Sequence, residues 1–502
     1  MKRLLLISTI LLSVTFMGAA QIIDDAIRYS QVFQTGTARF NSMGGAFSAL
    51  GGDPSSMHQN PAGLGVYRSS ELTFTPFVYS VKSDAFFKGN NKTDYLSDFD
   101  ISQLGIVIAS NKNRTNGLVS FNFGYSYNKT NILGYRAAME GISNNGSMAD
   151  SWADNATGYY HDELGGAAFL AYETWLIDTL SGYNDRYGSA FSNFGDGSPQ
   201  YGQTMKRGIE TDGYTAEHVF SLAANISNKL YIGSSLGLSV IDYYEKYSHM
   251  ERANESMESG LTSFSYNTSF SSSATGVNFK IGAIYKPIES LRLSLVLHTP
   301  TLYWLRDTYS DNMSSTFVDD RYSKSNQTTM YEYKFRTPGR AILGAAYQFG
   351  KFGLVSLDYE LVDYGKSRFQ MTYDEYDYVN DDAYFADLDY FDNLNSNISE
   401  GLKLANNIRL GAEFRVSKVY LRAGYAYYDS PWKDSDYLNF GKGYNTVSGG
   451  IGFRLNTFFM DFGYTAMFNN QTYMLYSSSI ESPLADIDFT KNVFSLSLGF
   501  KF

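Results

Sequence analysis

Apolar and polar residues alternate with a period of two from Glu71 to the end of the chain. The segment Phe121–Asn128 alternates aromatic residues with Asn, Gly and Ser, and Leu291–His298 and Ile408–Arg415 follow the same rule. Because successive side chains of a β-strand point to opposite faces, each segment has one apolar and one polar face. The alternation predicts an all-β fold.

The connections between these segments indicate which all-β fold. Most predicted strands are entered through a short turn and left through a long connection, of which Thr130–Glu217 is the largest. Short turns at one end and long loops at the other are typical of outer-membrane barrels. We predict a transmembrane antiparallel β-barrel over 71–502 with about 14 strands, an even number. This count treats 327–350 as one strand across Thr337-Pro338-Gly339.

The last predicted strand has an uninterrupted apolar face that ends on an aromatic carboxy-terminal residue. This face consists of Phe494, Leu496, Leu498, Phe500 and Phe502. Such an ending resembles the signal that barrel-insertion machinery reads. We therefore predict that machinery and outer-membrane lipid as partners.

The N-terminus has the three parts of a secretory signal peptide. Lys2 and Arg3 supply the charge, Leu4–Phe16 the apolar core, and Gly18-Ala19-Ala20 the small residues at the cleavage site. We predict a signal peptide over 1–20, Sec-type export and cleavage near Ala20. The net charge of −11 disfavours nucleic-acid binding, and the chain has no cysteine to form disulfides.

Several charged residues fall on the polar faces of the later strands. A charge on the lipid face of a barrel costs about 2–4 kcal/mol at mid-membrane for Arg or Lys, so these residues are expected in the lumen. Two interpretations stay open, a structural ladder of ion pairs and a charged path for an anionic ligand. The predicted lumen charges are Asp358, Glu360, Arg409, Glu413, Arg415, Arg422, Arg454 and Asp461.

Other segments indicate no enzyme and no cofactor, and only one of them offers a metal-site alternative. The five histidines lack metal-ligand spacing. The segment Asp374–Asp392 has eight acids in nineteen residues and is either a solvated loop or a Ca²⁺ site. The long loop carries apolar residues that predict either a ligand-capture site or a small packed core. They are Trp152, Tyr159, Tyr160, Phe169, Trp175, Leu176 and Ile177.

The block Gly36–Gly65 is too rich in Gly and Pro for a regular helix or strand. A barrel with about 14 strands is wide enough to leave an open channel unless another part of the chain fills its interior. We therefore predict that residues 21–70 form a hatch inside the lumen.

Three motifs of this block carry a resemblance to a known family. Gly36-x-Ala38-Arg39, Met43-Gly44-Gly45-Ala46 with Asp53-Pro54, and Asn60-Pro61-Ala62 resemble the hatch of the FadL/TodX outer-membrane channels, in a Bacteroidetes-type member. Arg422-Ala423-Gly424-Tyr425 and Asp429-Ser430-Pro431 are similar to a late strand and its loop in that family.

The resemblance implies passive uptake of long-chain fatty acids or other hydrophobic molecules. It also implies gating by the hatch and lateral release of the ligand into the membrane. The hatch residues would be Gly44, Gly45, Asp53, Pro54, Asn60, Pro61 and Ala62. The alternatives are a non-conducting barrel for protein interaction or secretion, and a hemin receptor.

Overall fold

The computed structural model describes residues 15–33, 35–112, 114–372, 381–433 and 441–502. Among them are six α-helices: α1 Thr15–Ser30, α2 Ala38–Ser42, α3 Ser56–Gln59, α4 Met148–Ala156, α5 Gly166–Glu173 and α6 Asp381–Gly401. Short 3₁₀ helices cover Pro61–Val66, His161–Glu163, Ala190–Gly195 and Tyr364–Lys366. No helix in these ranges is both long and apolar enough to cross a membrane.

The described residues also form 21 strands, of which nineteen belong to one large sheet. In chain order they are β1 Glu71–Phe87, β2 Asn90–Asn111, β3 Leu118–Ile132, β4 Tyr135–Ser143, β5 Ile177–Thr179, β6 Tyr187–Ser189, β7 Gln203–Ile226, β8 Leu230–Arg252, β9 Leu261–Ile288, β10 Leu291–His298, β11 Leu302–Phe317, β12 Arg321–Ser325, β13 Thr329–Arg336, β14 Arg340–Phe349, β15 Gly353–Asp363, β16 Arg368–Met371, β17 Leu404–Val416, β18 Val419–Tyr428, β19 Tyr444–Arg454, β20 Phe458–Met474 and β21 Leu484–Lys501.

The large sheet closes into an antiparallel barrel because β21 pairs with β1. Three of its wall strands consist of two consecutive segments, namely β3 with β4, β10 with β11, and β15 with β16, and a fourth consists of three, β12 with β13 and β14. Counted this way, the barrel has 14 strands, which confirms the predicted number. The predicted strand 327–350 is one of them, although its two segments, β13 and β14, are separated at Thr337–Gly339.

The outside of the wall is apolar near the end with short turns. Leu293, Leu295 and Leu297 are exposed there, while Ser294 and Val296 between them are buried. Crossing a bilayer takes about 9–11 residues of a tilted strand. Strand β9, with 28 residues, is much longer, so the wall continues beyond the membrane at the end with long loops.

The connection between β4 and β7 folds into a small domain at this outer end. Its helices α4 and α5 pack with the upper parts of β9 and β11 around a core that includes Trp152, Leu170, Phe191 and Phe264. A second core lies in the outer half of the lumen, where Ala26 and Ile27 of α1 pack with Phe391 and Ile398 of α6. These two packed cores therefore cover much of the barrel opening at the end with long loops.

Candidate functional site

The segment from Gly36 to Val66 lies inside the barrel and forms an irregular plug of α2, α3 and the 3₁₀ helix. Gly44 and Gly45 follow α2 with φ of +61° and +69°, a left-handed conformation that only glycine adopts without strain. Asn60 accepts a hydrogen bond from the Ala62 backbone N–H (3.0 Å), and Pro61 occupies the first helical position. Sequence analysis placed these residues in a hatch, and all of them are buried in the lumen.

The wall accommodates the plug through glycines on its inner face, which sequence analysis did not single out. A Cβ atom on Gly233 would lie 2.5 Å from the Pro61 carbonyl carbon, and one on Gly282 would collide with the Asn60 side chain. Six other wall glycines, Gly124, Gly344, Gly411, Gly424, Gly450 and Gly463, lie equally close to plug atoms. Gly424 belongs to the Arg422-Ala423-Gly424-Tyr425 motif, and the signal of the others in the sequence is that they recur on the polar faces of strands.

Asp53 holds the turn before α3. Its carboxylate accepts hydrogen bonds from the Thr37 hydroxyl (2.8 Å) and the Ser55 backbone N–H (3.0 Å). Burial raises the pKa of Asp53, and the nearby Arg39 and these hydrogen bonds oppose that effect. Pro54, the next residue, packs against Gly105 of β2, where a Cβ atom would lie 2.7 Å from the proline ring.

Among the polar contacts between the plug and the wall, three involve carboxylates of the wall, those of Asp358, Glu413 and Glu217. Asp358 of β15 accepts hydrogen bonds from the Ser48 backbone N–H (3.0 Å) and the Gln59 amide (2.9 Å). Glu413 of β17 accepts two hydrogen bonds from Arg39 (2.9 and 3.2 Å).

The third of these contacts joins His58 to Glu217 of β7. Lys280 of β9 also contacts Glu217, and its Nζ lies 3.3 Å from the imidazole Nδ1. Burial and the Lys280 ammonium lower the pKa of His58, whereas Glu217 raises it.

The predicted lumen charges form connected ion pairs on the inner wall. Arg409 binds Glu360 (3.1 Å), and Arg422 bridges Glu413 and Asp461 (2.7 Å to each). Arg454 also binds Asp461 (2.8 Å).

Arg415 does not join this network, because it is exposed at the end of β17 and donates to the Ser417 carbonyl. Every carboxylate of the network has a cationic or plug partner, so the arrangement matches a structural ladder.

A cavity of about 450 Å³ lies in the lumen on the outer side of the plug. One side is formed by Ile27 and Arg28 of α1 and by Gln31, which follows this helix. The other sides carry polar residues, such as Arg207, Glu245 and Asn469, and a set of aromatic residues from distant strands: Tyr135, Tyr243, Tyr247, Tyr444, Tyr473 and Phe489. The cavity could not be predicted from the sequence, because these residues come together only when the barrel closes.

The wall beside this cavity has a gap in its backbone pairing. Strand β2 pairs with β3 only from Gln103 to Asn111. The backbone of residues 90–102 therefore pairs with β1 alone. Strand β4 pairs only with β7. Gly134, between β3 and β4, lies against Tyr79 and Leu96, so the chain turns inward over β1 and β2 at this point. We call the unpaired edge of β2 over 90–102 the seam.

Side chains along the seam satisfy its free backbone groups. The carboxylates of Asp94, Asp98 and Asp100 each accept a hydrogen bond from the backbone N–H of the following residue (2.8, 2.7 and 2.6 Å). Asp100 also pairs with Lys129 of β3, and Lys92 with Glu140 of β4 (3.0 Å). Because an unpaired strand edge otherwise invites pairing with another chain, these charges allow the seam to persist.

The seven apolar residues predicted for the long loop do not line the cavity. Trp152 is buried against Phe264 and Tyr266 in the core of the outer domain. Tyr160 and Trp175 are exposed by 54 and 49%. The Tyr159 carbonyl accepts a hydrogen bond from Tyr187 (3.1 Å), and the ring of Phe169 lies under the Lys324 ammonium. Leu176 and Ile177 are also buried in that core, which fits the packed-core interpretation for these two and Trp152.

The remaining predicted features lie at the edges of the structure. Phe494, Phe500 and Phe502 of the closing strand face outward and are exposed, with Leu496 and Leu498 half-buried on the same face. Residues 374–380 of the acidic segment lie outside the described residues, and its remainder starts α6. Of the signal peptide, residues 1–14 lie outside them too. The described ranges contain no group of three or more His, Asp or Glu placed to hold a metal.

The fold and this site define a class of protein: a closed outer-membrane-type barrel of 14 strands with its N-terminal segment inside the lumen. Solved structures of this class resemble the chain over almost its whole length. A FadL homologue of Pseudomonas aeruginosa has a TM-score of 0.57 at 12% sequence identity. The match covers 94% of this chain and 100% of the homologue. The toluene transporter TodX of Pseudomonas putida has a TM-score of 0.50 at 13% identity, with coverage of 94 and 100%.

These likenesses confirm the predicted fold as that of the FadL/TodX channels. No protein-family model and no curated protein matches the sequence.

Proposed function

We propose that this protein is an outer-membrane channel for the passive uptake of hydrophobic small molecules, gated by the plug and releasing its ligand sideways into the membrane. One observation carries the proposal: the aromatic cavity reaches Ile132, Leu133 and Gly134, where the wall turns inward at the seam. A molecule in the cavity is therefore adjacent to the part of the wall without backbone pairing. The structural neighbours, a FadL homologue and a toluene transporter, support the same ligand class.

The plug and the seam together favour a lateral exit. Below the cavity, the plug fills the lumen and is fastened to β7, β15 and β17. An apolar molecule also gains free energy by staying in hydrocarbon instead of crossing the aqueous periplasm. The exit would lie between β3 and the end of the seam nearest the membrane, where the side chains of Phe99 and Ile101 are exposed on the outside of the wall.

A lysine in the cavity favours a ligand with a carboxylate, such as a long-chain fatty acid. Lys491 of β21 lines the cavity, and its Nζ donates to the Ile132 carbonyl (2.7 Å). Among the described residues, no carboxylate lies within ion-pair distance of Lys491, whereas Arg28 pairs with Asp25. A fatty-acid headgroup bound to Lys491 would lie beside the inward turn of the wall, with its chain among the aromatic residues.

The test is uptake of radiolabelled oleate by intact Gram-negative cells whose own fatty-acid channel has been deleted. Cells that produce the protein should take up oleate faster than cells with an empty vector, and a hydrophilic solute of similar mass should enter both equally. If oleate and toluene uptake are both unchanged while the folded barrel is present in the outer membrane, the proposal is wrong. That result would favour the non-conducting interaction barrel.

A further inference from the structure

A second cavity, of about 350 Å³, opens at the end of the barrel with short turns. The plug contributes Arg39, and the wall contributes Glu413, Tyr420, Arg454, Phe459 and Lys501. It lies on the opposite side of the plug from the large cavity, so the route proposed for hydrophobic ligands does not use it.

The charges around this second cavity are predominantly positive. Arg39, Arg454 and Lys501 line it, and Glu413 is the one carboxylate among the lining residues. That carboxylate is already shared between Arg39 and Arg422 (2.9 and 2.7 Å). Asp461 does not line the cavity, and its carboxylate is likewise shared between Arg422 and Arg454. Lys501 also pairs with Glu71 (3.7 Å), so four cations, Arg39, Arg422, Arg454 and Lys501, share three carboxylates.

Aromatic rings hold two of these cations in place. The Arg454 guanidinium lies 4.5 Å from the centre of the Phe459 ring and 5.3 Å from that of Tyr420. The Lys501 ammonium lies 5.9 Å from the Phe459 ring. Stacking of this kind limits side-chain motion, so less entropy is lost when an anion binds. The rings also provide an apolar surface next to the positive charge.

We propose that this cavity binds an organic anion, a phosphate or carboxylate attached to a flat apolar group, between Arg39 and Arg454. Arginine is suited to such groups because its planar guanidinium donates two parallel hydrogen bonds. The anion competes with Glu413 for Arg39, and the Arg39–Glu413 pair is one of the three attachments of the plug through wall carboxylates. Binding from the periplasm therefore loosens the plug, a regulation that goes beyond uptake itself.

The experiment is calorimetric titration of the purified full-length protein in detergent with phenyl phosphate. The wild-type protein should bind one equivalent saturably, and Arg454→Gln should weaken binding at least about tenfold, as expected when a charge-assisted hydrogen bond is lost. The matched control is Arg415→Gln. Arg415 stacks on the same Tyr420 ring (5.4 Å) but does not line the cavity, so its loss should leave the affinity unchanged.

A second variant, a folding control and a titration in lipid complete the test. Lys501→Gln, which leaves the Arg454–Asp461 pair intact, should also weaken binding, and heat-dependent gel mobility reports whether each variant is folded. Repeating the titration in nanodiscs with and without phosphatidylglycerol identifies the source of the anion. Competition by the lipid indicates a headgroup, and no competition indicates a soluble anion; both support the site.

The proposal is overturned if folded wild-type protein does not bind phenyl phosphate at millimolar concentration. It is also overturned if Arg415→Gln weakens binding as much as Arg454→Gln does. Because no hydrophobic ligand is present in this titration, its result is independent of the uptake assay.

Discussion

Gly282 of β9 lies directly against the side chain of Asn60, with no space for a Cβ atom between the wall and the plug. Asn60 in turn donates to the Ser48 carbonyl (2.6 Å) and caps the 3₁₀ helix that follows it. The position of the plug therefore depends on a wall residue that has no side chain.

Gly282→Val should displace the plug without preventing the barrel from forming. Forcing a side chain into a packed site costs about 1–3 kcal/mol, and here the plug is the part that can move. We expect higher single-channel conductance in planar bilayers and greater sensitivity of cells to large antibiotics. The control is Gly449→Val, because a Cβ atom on Gly449 would have its nearest neighbour at 3.6 Å. Equal effects of the two substitutions would contradict this account of the plug.

Seating of the plug should depend on pH through His58. The groups that face its imidazole are Glu217, Lys280, His298 and Arg340. Burial and Lys280 lower the pKa of His58 in the seated plug, so the seated form binds fewer protons than a released form with an ordinary pKa of about 6.5. The stability that His58 gives to the seat is therefore complete above that value and decreases as the pH falls below it.

Hydrogen exchange of residues 56–62 measures this effect. Exchange should be faster at about pH 5.5 than at about pH 7.5 after correction for the intrinsic rates, because these two values bracket the ordinary histidine pKa. His58→Gln should remove most of the difference. A difference that persists unchanged in that variant would show that another group is responsible.

Lys491→Gln should separate carboxylated from neutral ligands. If the ammonium binds a headgroup, oleate affinity should fall about tenfold, the loss expected for one charged hydrogen bond. Binding of toluene or methyl oleate should remain within about twofold, because the aromatic walls of the cavity are unchanged. Tryptophan fluorescence titration of the purified protein provides both affinities. An equal loss for all three ligands would instead indicate that Lys491 has only a structural role.

The wall could be predicted from the sequence because alternation is a local property of each strand. The lipid-facing leucines of β10, the 14 strands and the outward face of β21 follow from it. The seam could not be predicted, since it is the absence of a partner for residues 90–102, whose own pattern is still that of a strand. Trp152 shows the same limit, because its burial under Phe264 depends on a contact between residues 112 positions apart.

The central claim, lateral release through the seam, is tested most directly by closing the seam chemically. The chain has no cysteine of its own, so Asp100→Cys with Lys129→Cys places two thiols across the seam. The control pair, Ser80→Cys with Ser97→Cys, lies between the already paired strands β1 and β2, where the hydroxyls are 3.0 Å apart. Both pairs are treated with a short bifunctional thiol reagent, and oleate uptake by intact cells is measured before and after. The account predicts that crosslinking abolishes uptake in the seam pair and leaves it unchanged in the control pair; undiminished uptake through a fully crosslinked seam would contradict it.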